Sequence, residues 1–229
     1  MGENRDAASS IILAIPCSGH EVMTYMILQH GESRSFPPDD PFLAAAAVQA
    51  DIVLHLGTPV APDPGKVAVV VELGVECLAD HAEDDDPVYT NVVGFSRFRN
   101  GVDSPSKLVE LVRMRATADN AVAAAKAMFE TAGFTVVICT DQAGRILDRL
   151  LRPKYNAALR FLDEGLASAA DMDTTCKLGL GYPDGPIERL VRGGLAHHCD
   201  VTSALFATYG TPAYAPPRMA LAARRRGAR

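Results

Sequence analysis

The chain has 229 residues, 48% of them apolar, enough for a substantial core in one or two domains. Its 22 Lys and Arg against 28 Asp and Glu give a net charge of −6 without a broad basic field, so nucleic acid is not an expected partner. No apolar run reaches the roughly 18 residues of a membrane span. The five scattered cysteines (Cys17, Cys77, Cys139, Cys176 and Cys199) and the absence of a signal-peptide pattern predict a reduced, cytoplasmic protein with no membrane partner.

In chain order, residues 9–15 are a short apolar run that predicts a buried parallel strand. A turn at residues 16–20 and a helix through Gln29 should follow. Strand, tight turn, helix is how a dinucleotide-binding fold opens, and it makes Ser18, Gly19 and His20 the candidate cofactor-binding residues. Of the G-x-G-x-x-G pattern that lets backbone approach a pyrophosphate, only Gly19 is present, and Pro16 lacks an N–H. Cys17 and His20 are spaced for contact across a first helical turn, but no third residue is evident to orient them.

Residues 32–40 are a polar loop, 42–50 an Ala-rich helix, and 51–56 a second buried strand. Three prolines mark 58–65 as a loop before a third strand at 66–73. The acids of 80–86 are too contiguous to converge on a metal and read as a solvated loop. A fourth strand is expected at 91–95 and an amphipathic helix at 118–132. Gly133 caps that helix before a fifth and last strand at 134–139.

From residue 141 the periodicity is helical. Leu147, Leu150, Leu151, Ala158, Phe161 and Leu162 recur at spacings of three and four, with Pro153 set to kink the helix they define. Gly165 should end it and Ser168 start the next, with Asp171 at capping-box spacing and Asp173 beside it complementing the helix dipole. Gly179 and Gly181 should end that helix, and Pro186 suits the first turn of another. His197, His198 and Cys199 are adjacent, and on a helix neighbours diverge by about 100°, so they do not suit one ion. No metal is expected.

The opening Asp-x-x-Gly-x-Ile-x-x-Arg-Leu-Leu-x-Pro (141–153), the Asp-Met-Asp of 171–173, Lys-Leu-Gly-Leu-Gly-Tyr-Pro-x-Gly-Pro (177–186) and Tyr-Gly-Thr-Pro-Ala-Tyr-Ala-Pro-Pro (209–217) resemble the C-terminal domain of 3-hydroxyacyl-CoA dehydrogenases. The resemblance implies α/β plus all-α architecture: a truncated Rossmann-like parallel sheet in residues 1–139, then a helical dimerisation domain in 140–229. It implies NAD as cofactor, a 3-hydroxyacyl thioester (acyl-CoA-like) as ligand, and a homodimer. The strand bearing the acid that holds the adenosine ribose has no counterpart here, so the adenine half of the groove should be missing. By resemblance Glu110, in Lys107-Leu-Val-Glu110, matches the glutamate that orients a catalytic histidine, Arg97 stands at that histidine with one extra residue before Lys107, or Phe98 if no insertion is allowed, and Asp148 stands at a site asparagine. Arginine stays protonated and cannot act as a general base. Two readings follow: an NAD-dependent oxidoreductase with impaired or lost catalysis, or a non-catalytic dimeric relative that binds an acyl-CoA or other small ligand between its domains.

Overall fold

A computed structural model describes residues 24–57, 61–82 and 86–227. The strand expected at 9–15 and the turn at 16–20 lie outside these residues. Among the described residues, six strands form one sheet in sequential order: β1 (Tyr25–Gln29), β2 (Ile52–Leu56), β3 (Ala68–Glu72), β4 (Val92–Arg97), β5 (Leu108–Arg113) and β6 (Thr135–Thr140). All neighbours are parallel except β4 and β5. The central strands are apolar runs rich in branched residues and are covered on both faces, as parallel sheets require.

Two expectations are corrected here. Tyr25–Gln29 is a strand, not the end of a helix: its backbone pairs with all of β2, and the Tyr25 hydroxyl donates to Phe42 O at 2.6 Å. The helix expected at 42–50 is only α1 (Pro41–Ala44), capped by the Asp40 side chain, which accepts from Phe42 N. Phe42 is its one buried residue, and Val48 beyond it is 91% exposed. Alanine propensity alone does not hold so short a helix in water.

One face of the sheet packs against α2 (Asp119–Thr131) through Val122, Ala125 and Phe129. Phe129 joins Phe36, Phe42, Phe95 and Phe134 in an aromatic cluster in which Phe36 and Phe42 stack at 4.6 Å. On the other face Val69, Val71, Val92 and Val112 lie under Leu78 and Met114.

The helical half comprises α3 (Leu147–Asp163), α4 (Ala169–Leu180), α5 (Pro186–Gly193), α6 (Leu195–Tyr209) and α7 (Arg218–Arg225). Tyr155, Leu159, Ile187, Leu190 and Cys199 form its core. Helix α3 continues through Pro153. The Arg149 carbonyl, which Pro153 cannot reach with an N–H, accepts from the Tyr214 hydroxyl at 3.4 Å. Ser168 caps α4, and Gly181 ends it in the left-handed conformation.

Asp173 does not serve the start of α4. It is buried and caps α5 instead, accepting from Ile187 N at 2.8 Å and Glu188 N at 3.0 Å. A Cβ at Gly185 would lie 2.2 Å from Asp173, so only glycine leaves room for this carboxylate. Asp173→Ala should therefore cost about 2 kcal/mol through the two lost acceptors. Gly185→Ala should cost at least as much by displacing the same cap, and the urea midpoints of the two variants check this.

The segment joining the halves is bound to the loop after β3. The Asp141 carboxylate accepts from Leu78 N and Ala79 N at 2.7 and 2.9 Å. Arg145, buried and left-handed at φ 45°, donates to the carbonyls of Gly74 and Glu76. Among the described residues, no helix is long and apolar enough to cross a membrane.

Candidate functional site

The carboxyl ends of β1, β3 and β4 open towards the helical half, and a cleft of about 720 Å3 lies between them. Its sheet-side wall comes from residues 32–35, 73–75 and 96–99. Its helical wall comes from Asp148 and Arg152 on α3 and from the α5–α6 junction. Crevices at the carboxyl ends of strands are where open α/β sheets bind ligands.

The turn after β1 is drawn tight against the turn after β2: a Cβ at Gly57, where φ is 85°, would sit 2.8 Å from Gly31 Cα. No helix follows this turn until the four-residue α1. The loop between them is held by the protein's own carboxylate. Glu72 Oε1 accepts from Ser33 Oγ at 2.9 Å and Ser35 N at 2.7 Å. A dinucleotide needs free N–H donors and a helix amino end at this turn. Among the described residues Glu72 occupies Ser35 N and no helix begins at this turn, so the turn lacks the helix amino end that NAD would need. Ser18, Gly19 and His20 lie outside the described residues.

Glu110 sits on β5 with its side chain buried, and Oε1 accepts from Ile146 N at 2.8 Å and Leu147 N at 2.9 Å. It thus satisfies two otherwise orphaned donors at the start of α3. Burial pushes its carboxyl above the ordinary value, against the lowering effect of the Leu147 and Ile146 N–H groups and Arg145. Its cross-strand partner on β4 is Ser96, a cleft residue. Arg97 is not in that position. One residue on, strand alternation turns it to the other face, where its guanidinium binds Ser35 O, Ser106 O and Asp40 Oδ2 and lies 4.7 Å from the Phe134 ring centroid. This replaces the expectation for Arg97: it ties the β1–α1 loop to the sheet, and Ser96 is the residue that faces Glu110.

Asp148 lies at the cleft and is engaged by Arg152 one turn on. Nε and Nη2 of Arg152 both reach Asp148 Oδ1 at 2.8 Å. Behind them runs a buried polar chain. Arg152 Nη1 meets His198 Nδ1 at 3.3 Å, and His198 Nε2 meets Asn156 Oδ1 at 2.9 Å. Asn156 Nδ2 donates to Thr202 Oγ1 and to Ala213 O, and Thr202 Oγ1 donates to Tyr214 O. Because the Asn156 amide nitrogen is committed as a donor, His198 must carry its proton on Nε2. Burial, then Arg152 and His197, push the His198 pKa down to about 3, so it stays neutral.

Of the residues singled out in the sequence, Asp148 lines the cleft, while Glu110 lies buried behind Ser96; Ser96, Arg152, Asn156 and the separate roles of the two histidines were not read from the sequence. The Asp148–Arg152 spacing of four was a readable signal. The buried chain depends on contacts 42 to 46 residues apart in sequence, and Ser96 on the β4–β5 register. Among the described residues, no group of three or more His, Cys, Asp or Glu is placed to hold a metal ion.

A mostly parallel sheet joined through a ligand-sized cleft to a helical half defines a Rossmann-like protein with an appended helical domain. Residues 144–227 match the family described as 3-hydroxyacyl-CoA dehydrogenase, C-terminal domain. The chain is 44% identical over 82 residues to a probable 3-hydroxyacyl-CoA dehydrogenase of Caenorhabditis elegans, covering 36% of this chain and 26% of that one. It is 33% identical over 115 residues to a 3-hydroxybutyryl-CoA dehydrogenase of Mycobacterium tuberculosis, covering 50% and 40%. The chain therefore aligns with well under half the length of either relative. The crystal structure of (S)-3-hydroxybutyryl-CoA dehydrogenase from Ralstonia eutropha shares the fold, with a TM-score of 0.68 at 24% identity over 78% of this chain and 66% of that one.

Proposed function

We propose that this chain is a 3-hydroxyacyl-CoA dehydrogenase-family protein that binds an acyl thioester in its interdomain cleft and has lost the family's histidine-based hydride transfer. The observation that carries this reading is Ser96 standing opposite Glu110. A serine hydroxyl unaided by a base does not abstract a proton near neutral pH, and Glu110 is committed to the α3 backbone. NAD is the cofactor the resemblance implies, but the turn after β1 leads into no helix amino end to meet its pyrophosphate. The chain acts as a homodimer through its helical half, a reading supported by Leu150, Leu178 and Leu180, exposed at 68%, 84% and 62%. The free cysteines Cys77, Cys139, Cys176 and Cys199 suit a reducing compartment such as the cytoplasm.

Titration of the purified protein with NADH, then acetoacetyl-CoA, tests the reading. The expected result is saturable thioester binding without cofactor consumption. Ser96→His should not restore turnover, because the cofactor turn is also altered. Consumption of NADH by the unmodified chain would establish the dehydrogenase reading in its place, the reading favoured by the family match and by the retained Glu110.

A further inference from the structure

One corner of the cleft is charged in a way the thioester reading does not use. His197 stands in the first turn of α6, exposed to the cleft, and Arg152 of α3 lies near it. Helix α6 starts at Gly194, which has no side chain to cap it. The N–H groups of Leu195, Ala196 and His197 have no acceptor among the described residues. Arg34 faces the same cleft from the loop after β1, exposed and without a hydrogen bond among the described residues.

A plain aliphatic chain laid here would strip water from these donors and replace none of their hydrogen bonds. An anion would supply acceptors to all of them. We propose that Arg34, His197 and the amino end of α6, with Arg152 behind them, bind a carboxylate, so that the thioester held by the cleft bears a free carboxylate on its acyl chain. The last clause rests on the thioester reading; the carboxylate site does not.

Charge balance favours a carboxylate over a phosphate. The groups facing His197 are Arg152 and Asp148 from α3, Arg34 from the β1–α1 loop and Asp200 from α6, with the neutral His198 beside it. Immediately around His197 two arginines stand against two aspartates, with Glu32, Arg99 and Arg192 also lining the cleft, and protonation of His197 adds one positive charge there. One carboxylate neutralises that, whereas a dianionic phosphate overshoots it. In the free protein His197 is held below the ordinary histidine value by its desolvated position, then by Arg152 and Arg34, against Asp148 and Asp200. A bound anion reverses the balance and raises it, so binding takes up a proton and strengthens as pH falls.

The test uses the full chain with butyrate, butyramide and inorganic phosphate, read from the His197 ring proton signals at pH 6 and pH 8. Butyrate is expected to bind saturably and more tightly at pH 6, with butyramide inert. Arg34→Gln and His197→Gln should each weaken butyrate about tenfold, the usual size of a lost charge-assisted hydrogen bond. For His197→Gln the readout is the thermal shift produced by butyrate. Both side chains are exposed, so the melting temperatures without ligand should match the unmodified chain. Equal binding of butyramide, tighter binding of phosphate, or undiminished butyrate binding in both variants would overturn the proposal. Acetoacetyl-CoA binding without butyrate binding would overturn it too while leaving the thioester reading intact. Butyrate binding without acetoacetyl-CoA binding would uphold the carboxylate site and remove the thioester.

Discussion

Asn156→Ala should lower folding stability by about 3–4 kcal/mol, because it orphans polar groups in a fully buried place. His198 Nε2–H loses its acceptor, while Thr202 Oγ1 and Ala213 O lose a donor. Helix α3 would also part from α6 and from the turn before α7, which Asn156 joins. Asn156→Asp separates polarity from shape. The new side chain fills the same space but cannot donate while ionised, and Thr202 Oγ1 already donates to Tyr214 O. Its folded-state pKa is therefore raised. Stability held by the protonated form is present below the ordinary aspartate value and is lost as pH rises through the folded one. The deficit against the unmodified chain should accordingly be larger at pH 8 than at pH 5 in urea unfolding. An equal deficit at both pH values would mean that shape, not hydrogen bonding, decides this site.

Glu110 should show the opposite behaviour on substitution by its amide. Glu110→Ala leaves Ile146 N and Leu147 N without an acceptor at the start of α3 and should cost about 2–4 kcal/mol. Glu110→Gln keeps an oxygen there and removes a carboxylate that burial disfavours. The Glu110 carboxyl is raised in the folded state. Its contribution is therefore greatest below the ordinary glutamate value and declines as pH climbs through the raised one. The glutamine variant should gain on the unmodified chain from pH 4 to pH 8 and then run parallel to it. Urea midpoints across that range measure the difference. A glutamine variant as weak as the alanine one would remove the capping role.

The elements legible in the sequence were those with a long period or a strong boundary. Helix α3, with its stripe from Leu147 to Leu162, could be read directly, as could α4 between Ser168 and Gly181. Tyr25–Gln29 could not: five apolar-leaning residues fit a helix or a strand equally, and pairing with β2 decides. Strand β5 was known from the sequence only as a matched motif, because Glu110 interrupts an otherwise apolar run. The site was half legible for a related reason. Glu110 and Asp148 announce themselves by type, but which neighbour of Phe95 faces Glu110 depends on a register that shifts by one residue with the length of the β4–β5 loop. Counting back from Lys107 selects Phe98, or Arg97 with one inserted residue, whereas the ladder pairs Ser96 with Glu110.

The stitched segment between the halves bears on how the molecule comes apart. Asp141 and Arg145 are fixed to the loop after β3, and the first turn of α3 is closed by a carboxylate from β5. Neither half has a complete set of its own partners. The melting curve should therefore be a single calorimetric transition, with equal van't Hoff and measured enthalpies, rather than two separate steps. Hydrogen exchange at the α3 amide of Leu147 should then follow the global opening of the sheet, although the amide belongs to the helical half.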